Sequence, residues 1–290
     1  MAFSVRSRLD QFTLPHPSRA GTLTISVAPP GRPATDGRVA VLYVLDGDVI
    51  FGMASEIARA MAAMAGLPPL YVVGVGYDAE YEDFLRLRTA DLSLPLTGQA
   101  LSELGALADA IGAQSNGGAD AFLSFLIDGV RPAIFDRYPD AIEGDQILFG
   151  HSLGGLFATN ALLTRPESFT SFLVSSPSLW WNAFSTMEKL PAFADRLKRL
   201  PTQPRVFVDV GALEQDVPTS LPDGAAATLD DVQEQIRAAR MVDAAAELAA
   251  ALAEAGLEHL RHRAFAGEDH LSVVPPALLH GMRFALERAH

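Results

Sequence analysis

A serine, a histidine and a carboxylate, at separations that a strand–turn–helix could bring together, give this chain the means for covalent acyl chemistry. Within Gln146–Asn160, QILFGHSLGGLFATN, Ser152 stands between Gly150 and Gly154 in G-x-S-x-G spacing. Ile147-Leu148-Phe149 reads as a buried strand, and Leu156–Leu163 as a helical run with no proline before Pro166. A strand that reverses directly into a helix strains the backbone of the residue at its tip. A side chain two positions to either side would collide there, and glycine removes the collision. The hydroxyl is then held clear of the sheet, with the first amides of the new helix pointing at whatever it attacks.

G-x-S-x-G at such a turn resembles the nucleophile elbow of α/β-hydrolases, where an acid and then a histidine follow the serine in the chain. Seven histidines compete for the base. His16 precedes the elbow, His151 is its variable position, His259 and His262 fall in the last strand, His280 in the last helix and His290 at the terminus. Only His270 lies in a polar turn, Gly267-Glu268-Asp269-His270, just past the last strand. A loop at a strand's carboxyl end can supply a base to Ser152. For the acid, Asp209, Glu214 and Asp216 lie in or after the strand Arg205–Val210. Asp209 is inside the strand and faces a sheet surface. Glu214, three residues past Gly211, is preferred and Asp216 is second; the acid would hold the imidazole tautomer and stabilise the imidazolium. Oxyanion donors are expected from the amide of Leu153 and from that of Asp48 in the Asp46-Gly47-Asp48 turn. That tripeptide is otherwise an ordinary turn or cap, and two carboxylates without clustered histidines are poor evidence for a metal. No metal or other cofactor is expected.

The elements that must position these residues alternate along the chain. Gln11–Leu14 and Thr22–Val27 read as a β-hairpin within residues 9–28, followed by a Pro/Gly-rich loop over Ala28–Gly37. Arg38–Leu45, RVAVLYVL, and Pro68–Gly76, PPLYVVGVG, are near-continuous apolar runs of the kind buried on both faces of a parallel sheet. Val49–Ala65 and Gly118–Phe135 have helical spacing, while Tyr77–Gly98 reads as irregular and polar. Phe169–Val174, Arg205–Val210 and Leu257–Phe265 are further strands. Asp230–Ala255 is expected as one long helix, with Asp-Asp at its start, and Val274–Arg288 as the last. Glu214–Thr228 reads as a long loop that, with the start of the next helix (214–240), is a candidate lid. No break in composition and no repeat divides the 290 residues. The expectation is a single α/β domain over 1–290, a doubly wound, mostly parallel sheet with helices on both faces and ligands outside the strands' carboxyl ends.

Bulk properties narrow the partners. About half of the residues are hydrophobic, enough for one large core. The absence of cysteine excludes disulfides, thiolate metal sites and a cysteine nucleophile, and fits a reducing compartment. A formal net charge of −13 argues against nucleic acid or an anionic membrane as partner. The N-terminal MAFSVRSRLDQF lacks the apolar core of a signal peptide, and no uncharged apolar run reaches membrane-spanning length. A cytoplasmic location is therefore expected; the oligomeric state is not legible.

VLYVLDGDVIF, the RTADL segment, GGADAFLSFLIDGVRPAI, ILFGHSLGGLFATNALL, SPSLWW and GEDH together resemble the Putative esterase branch of the α/β-hydrolases. That branch holds esterase D, the ferric-enterobactin esterases, the cellulosomal feruloyl esterases and the mycobacterial mycolyltransferases. The likeness is greatest to the bacterial siderophore esterases that hydrolyse tri-catecholate trilactones, and it runs from about Arg38 to the C-terminus. It implies Ser152 as nucleophile, His270 as base, Glu214 at the Gly-plus-three acid position of the feruloyl esterases, and Asp48 as second oxyanion donor by its backbone amide. It also implies Arg88 and Trp180 as residues lining the substrate cleft. Where relatives often read D-Y-T-P this chain has Asp91-Leu92-Ser93-Leu94-Pro95, which removes an aromatic beside the cleft, and Asp128 replaces a frequent Glu.

The expected activity is cofactor-free hydrolysis of a small-molecule carboxylic ester through an acyl-enzyme, the ester being a siderophore trilactone or a small-acyl ester. An acyltransferase using the same Ser-His machinery, and a non-catalytic binding module on the same scaffold, are the alternatives. An acidic protein repels a strongly anionic ferric catecholate at long range, and only a local patch such as Arg86 and Arg88 could offset that.

Overall fold

A run such as Val39–Leu45 has no polar alternation because both of its faces are covered. In the computed structural model, which describes residues 9–31, 39–220 and 228–287, β3 (Ala40–Val44) sends Leu42 and Val44 to one face of the sheet and Val41 and Tyr43 to the other. The remaining strands are β1 (Asp10–Pro15), β2 (Thr22–Ala28), β4 (Leu70–Gly76), β5 (Gln146–His151), β6 (Ser171–Ser175), β7 (Arg205–Gly211) and β8 (Leu260–Phe265). They form one eight-stranded sheet in the order β1-β2-β4-β3-β5-β6-β7-β8. β1 and β2 are an antiparallel hairpin, β2 runs antiparallel to β4, and β3 to β8 are all parallel. The carboxyl ends of six strands therefore lie along one edge.

The helices are α1 (Gly47–Met64), α2 (Tyr81–Leu92), α3 (Gly98–Glu103), α4 (Ala106–Ala110), α5 (Ala119–Phe125), α6 (Arg131–Arg137), α7 (Leu153–Thr164), α8 (Leu190–Leu197), α9 (Leu229–Ala239), α10 (Met241–Glu254) and α11 (Val274–Leu286). α1 and α11 cover one face, packing Ile50, Phe51, Leu278 and Met282 on Leu42, Phe149 and Leu173. α7 and α10 cover the other with Leu156, Phe157 and Leu248, in one cluster with Tyr43, Leu148 and Val208, and α5 packs Phe122 on Phe157 of α7. Side chains of this size contribute about 1.5–3 kcal/mol each when fully buried, so the two layers fix the strand order firmly.

Three readings of the sequence need correction. Tyr77–Gly98 is not irregular, because α2 occupies most of it. That helix buries Thr89 and Asp91 beside Phe84 and Leu92, so its inward face carries no apolar period. Asp91 is buried because His16 Nε2 lies 3.0 Å from Oδ2 while Arg19 donates to both oxygens at 2.6 and 2.7 Å, which pins the hairpin turn to α2. Gly118–Phe135 is not one regular helix: a π-helical turn, Leu126–Val130, separates α5 from α6. The long helix expected at 230–255 is two. α9 starts on a Thr228/Asp231 capping box, and the helical run is broken at Arg240, which has φ 48°, before α10 begins. The break follows burial, since α9 has no buried residue while α10 is anchored by Met241, Ala245, Leu248 and Leu252. The Pro/Gly-rich loop and the candidate lid fall partly on residues 32–38 and 221–227, which lie outside the described residues.

No described helix is long and apolar enough to cross a membrane.

Candidate active site

Ser152 follows β5, Glu214 follows β7 and His270 follows β8. All three strands are parallel, so the three loops meet at one edge of the sheet. The turn at Ser152 is tight. Its φ of 61° and ψ of −119° are a conformation that a non-glycine residue keeps only when its surroundings impose it. Its N–H donates to the Ser175 carbonyl at 3.1 Å, and its carbonyl accepts from the Ser178 amide at 3.1 Å, so the end of β6 and the loop after it hold the bend from both sides.

The glycines around the bend differ in what they do. A Cβ on Gly150 would sit 2.0 Å from the Gly154 carbonyl oxygen, so that glycine is sterically required. Gly154 itself has room, its nearest neighbour being Asp46 Oδ2 at 3.5 Å. The second position without space is Gly155, where a Cβ would meet the Ser175 carbonyl oxygen at 2.6 Å and Pro177 Cα at 2.9 Å. The crowding thus comes from the neighbouring strand β6 as well as from the turn, which the five-residue spacing could not reveal.

His270 Nε2 lies 3.1 Å from Ser152 Oγ, and His270 Nδ1 lies 2.6 Å from Glu214 Oε2. The Glu214 carboxylate is almost wholly buried. Its Oε1 accepts from the Gly211 amide at 2.6 Å and from Ser176 Oγ at 2.5 Å, which leaves Oε2 directed at the imidazole. Gly211 also lets the histidine loop approach, since a Cβ there would come within 2.5 Å of the Glu268 carbonyl oxygen. Gln215, next to Glu214, accepts the amides of Val242 and Asp243 at the start of α10 and so ties this loop to the helix layer. Asp216 is exposed, and its amide bonds the Leu213 carbonyl; the structure does not bring it to the histidine.

A buried polar chain lies beneath. Asp209 is fully buried; Oδ1 accepts from Ser175 Oγ at 2.9 Å, and Oδ2 has no partner. Burial, with the nearby Glu214 charge second, raises its pKa well above the usual carboxylate value. Ser175 Oγ is also 3.2 Å from His151 Nδ1, and the His151 ring packs against that of His270 with 4.7 Å between centroids. Burial first, and then the proximity of His270, lower the His151 pKa well below its usual value.

The Asp46-Gly47-Asp48 turn is built by its two carboxylates. Asp46, at φ 53°, accepts both Nε and Nη2 of Arg88 at 2.7 Å. Asp48 accepts the amides of Tyr77 and Asp78 at 2.7 and 2.9 Å, clamping the turn to the end of β4. The amides of Leu153 and Asp48 belong to the first turns of α7 and α1, where the helix itself offers no acceptor. Asp46 Oδ2 sits over Gly154, so these two helix starts are neighbours. In the loop after β6, Trp181 is buried with its indole N–H donating to the Leu94 carbonyl at 2.7 Å, and half-buried Trp180 packs on it. Ser176 and Ser178 escaped the sequence reading. Ser178 Oγ lies 3.4 Å from Ser152 Oγ, and the only signal was the hydroxyl-rich run Ser175-Ser176-Pro177-Ser178 at a strand end. Among the described residues no group of three or more His, Asp and Glu could hold a metal ion.

Residues 19–249 match the model of the family described as Putative esterase. The chain is 34% identical over 258 residues to the siderophore triacetylfusarinine C esterase of Aspergillus fumigatus, covering 87% of this chain and 82% of that protein. It is 30% identical to the ferri-bacillibactin esterase BesA of Bacillus subtilis, over 91% of this chain and 85% of the other. Its fold superposes on the siderophore hydrolase EstA from Aspergillus nidulans with a TM-score of 0.81 at 28% identity, covering 98% and 97% of the two chains.

Proposed function

This chain belongs to the Putative esterase family and is a carboxylic ester hydrolase, and from that premise we propose that it works through an acyl-enzyme on Ser152. Ser152 Oγ attacks the ester carbonyl carbon while His270 Nε2 takes the hydroxyl proton. Glu214 accepts from Nδ1–H, which fixes the tautomer and stabilises the imidazolium as it forms. Negative charge moves onto the carbonyl oxygen, where the amides of Leu153 and Asp48 are the donors. The C–O bond to the alcohol breaks, the alcohol leaves with the proton from His270, and an ester to Ser152 remains. Water then attacks that ester with His270 again as base, releasing the acid and restoring the serine. No cofactor is needed for these steps.

The line Ser152–His270–Glu214, at 3.1 and 2.6 Å with the carboxylate anchored by Gly211 and Ser176, carries this reading. A bond of 3.1 Å is within the reach a base needs to abstract the proton. Trp180 serves as cleft wall. Arg88 lines the cleft as well, with its charge balanced by Asp46, and braces the turn that presents the Asp48 amide. The relatives named above point to a siderophore ester as the substrate, with a lactone or another small-acyl ester meeting the same chemistry. Steady-state hydrolysis of 4-nitrophenyl butyrate tests the mechanism. Ser152→Ala should abolish turnover with the circular dichroism spectrum unchanged, and retained turnover in the folded variant would rule the nucleophile out.

A further inference from the structure

The mouth of this site is acidic and apolar, and its cations are paired. The loops leaving the carboxyl ends of the six parallel strands (residues 45–46, 77–80, 152, 176–184, 212–220 and 266–273) contain no lysine or arginine. The same loops and the helix starts beside them carry Asp48, Asp78, Glu80, Asp216, Glu268 and Asp269, all exposed except half-buried Glu268. The arginines nearest this edge are already engaged: Arg88 with Asp46, Arg86 with Asp83 and Arg19 with Asp91. Arg88 in particular is only 12% exposed and faces its carboxylate through two nitrogens.

Large apolar side chains stand out at the same edge. Val49 is 66% exposed, Tyr81 74%, Leu213 43% and Leu271 77%. Scattered exposed hydrophobics need no explanation. Here, however, Val49 adjoins Asp48, Leu213 adjoins Glu214 and Leu271 adjoins His270, so the apolar surface borders the reacting groups.

We infer that this site selects esters that carry no negative charge and that present apolar groups beside the scissile bond, and that it turns polyanionic esters away. The inference rests on the ester-hydrolase reading and concerns which esters enter. A cleft edged by one sign of charge raises the local concentration of neutral or cationic solutes over anionic ones. An anionic group that did enter would give up water to apolar neighbours with no lysine or arginine in those loop residues to receive it. A tris-catecholate iron complex, with three negative charges, is the kind of substrate this mouth disfavours.

The test compares 4-nitrophenyl hexanoate with mono-4-nitrophenyl adipate, which have acyl chains of equal length ending in methyl or carboxylate. Turnover of the hexanoate measures the ester-hydrolase reading by itself; the ratio of the two measures the inference. The expected kcat/KM for the adipate is at least about tenfold lower at low ionic strength, and the gap closes in about 1 M salt, where charges are screened beyond ~3 Å. The triple variant Glu80→Lys, Asp216→Lys, Glu268→Lys, whose side chains lie outside the catalytic line, should raise the adipate value and leave the hexanoate value within about twofold. Equal kcat/KM for the two esters in the wild type, or a gap that neither salt nor charge reversal changes, overturns the inference.

Discussion

His270 and Glu214 are 56 positions apart in the chain, yet Nδ1 of the one lies 2.6 Å from Oε2 of the other, with the imidazole 40% exposed and the carboxylate 1%. The carboxylate is thus a fixed part of the scaffold, and the imidazole is the exposed partner of the pair. Glu214→Gln should keep the fold but present the wrong partner to Nδ1, lowering kcat by about 10³–10⁴. Asp216→Asn should change it less than about twofold, because the carboxylate at His270 Nδ1 is that of Glu214. Matched kinetics of the two variants decide which acid acts.

The glycines around Ser152 make a second, sharper contrast. Gly154→Ala places a methyl in ordinary van der Waals contact within a helix and should hold stability constant or raise it by about 0.5–1 kcal/mol. Gly155→Ala drives a Cβ against the backbone of Ser175 and Pro177 and should destabilise by about 1–3 kcal/mol. Urea unfolding of both reads this directly.

That contrast also shows how far the sequence could be read. The bend at Ser152 was legible because strand, tip and helix are encoded by adjacent residues whose types the geometry demands. The approach of the Glu214 loop to His270 was legible from its distance past Gly211, the glycine where the two loops meet. α2 was not legible. Its inward positions include Asp91, buried by His16 and Arg19 from 72 or more positions away, and a pairing of that kind erases the apolar period that marks a helix. Gly155 was passed over for the same reason: the backbone that crowds it belongs to β6 and the loop beyond it. The sequence reading was good where contacts were local and failed where a distant partner supplied the cause.

Arg88 and Asp46 form a buried pair that holds the turn carrying the Asp48 amide. Arg88→Met leaves a buried carboxylate unpartnered and should cost about 3 kcal/mol. Adding Asp46→Asn, a residue that tolerates the positive φ there, should recover part of that loss. A double-mutant cycle by urea denaturation measures the coupling, and additive losses would mean that the pair does not act as a unit.

His151 sets a pH dependence whose sign follows from its environment. Burial and the neighbouring His270 hold its folded-state pKa below the usual value. Below about pH 6.5 the unfolded chain takes up a proton at this position that the folded chain refuses, so stability present at neutral pH is lost as the pH falls, at up to about 1.4 kcal/mol per pH unit. His262 and His280 are shifted in the same direction and add to the slope. His151→Asn should flatten the fall in unfolding free energy between about pH 7 and pH 5. An unchanged slope would mean that His151 titrates alike in both states.

The most direct test of the catalytic line is covalent. A fluorophosphonate ester requires an activated serine hydroxyl, so peptide mass spectrometry after labelling should place one adduct on Ser152, and His270→Ala should prevent it. An adduct on another serine, or undiminished labelling of Ser152 without His270, would contradict the assignment of this pair as the reacting centre.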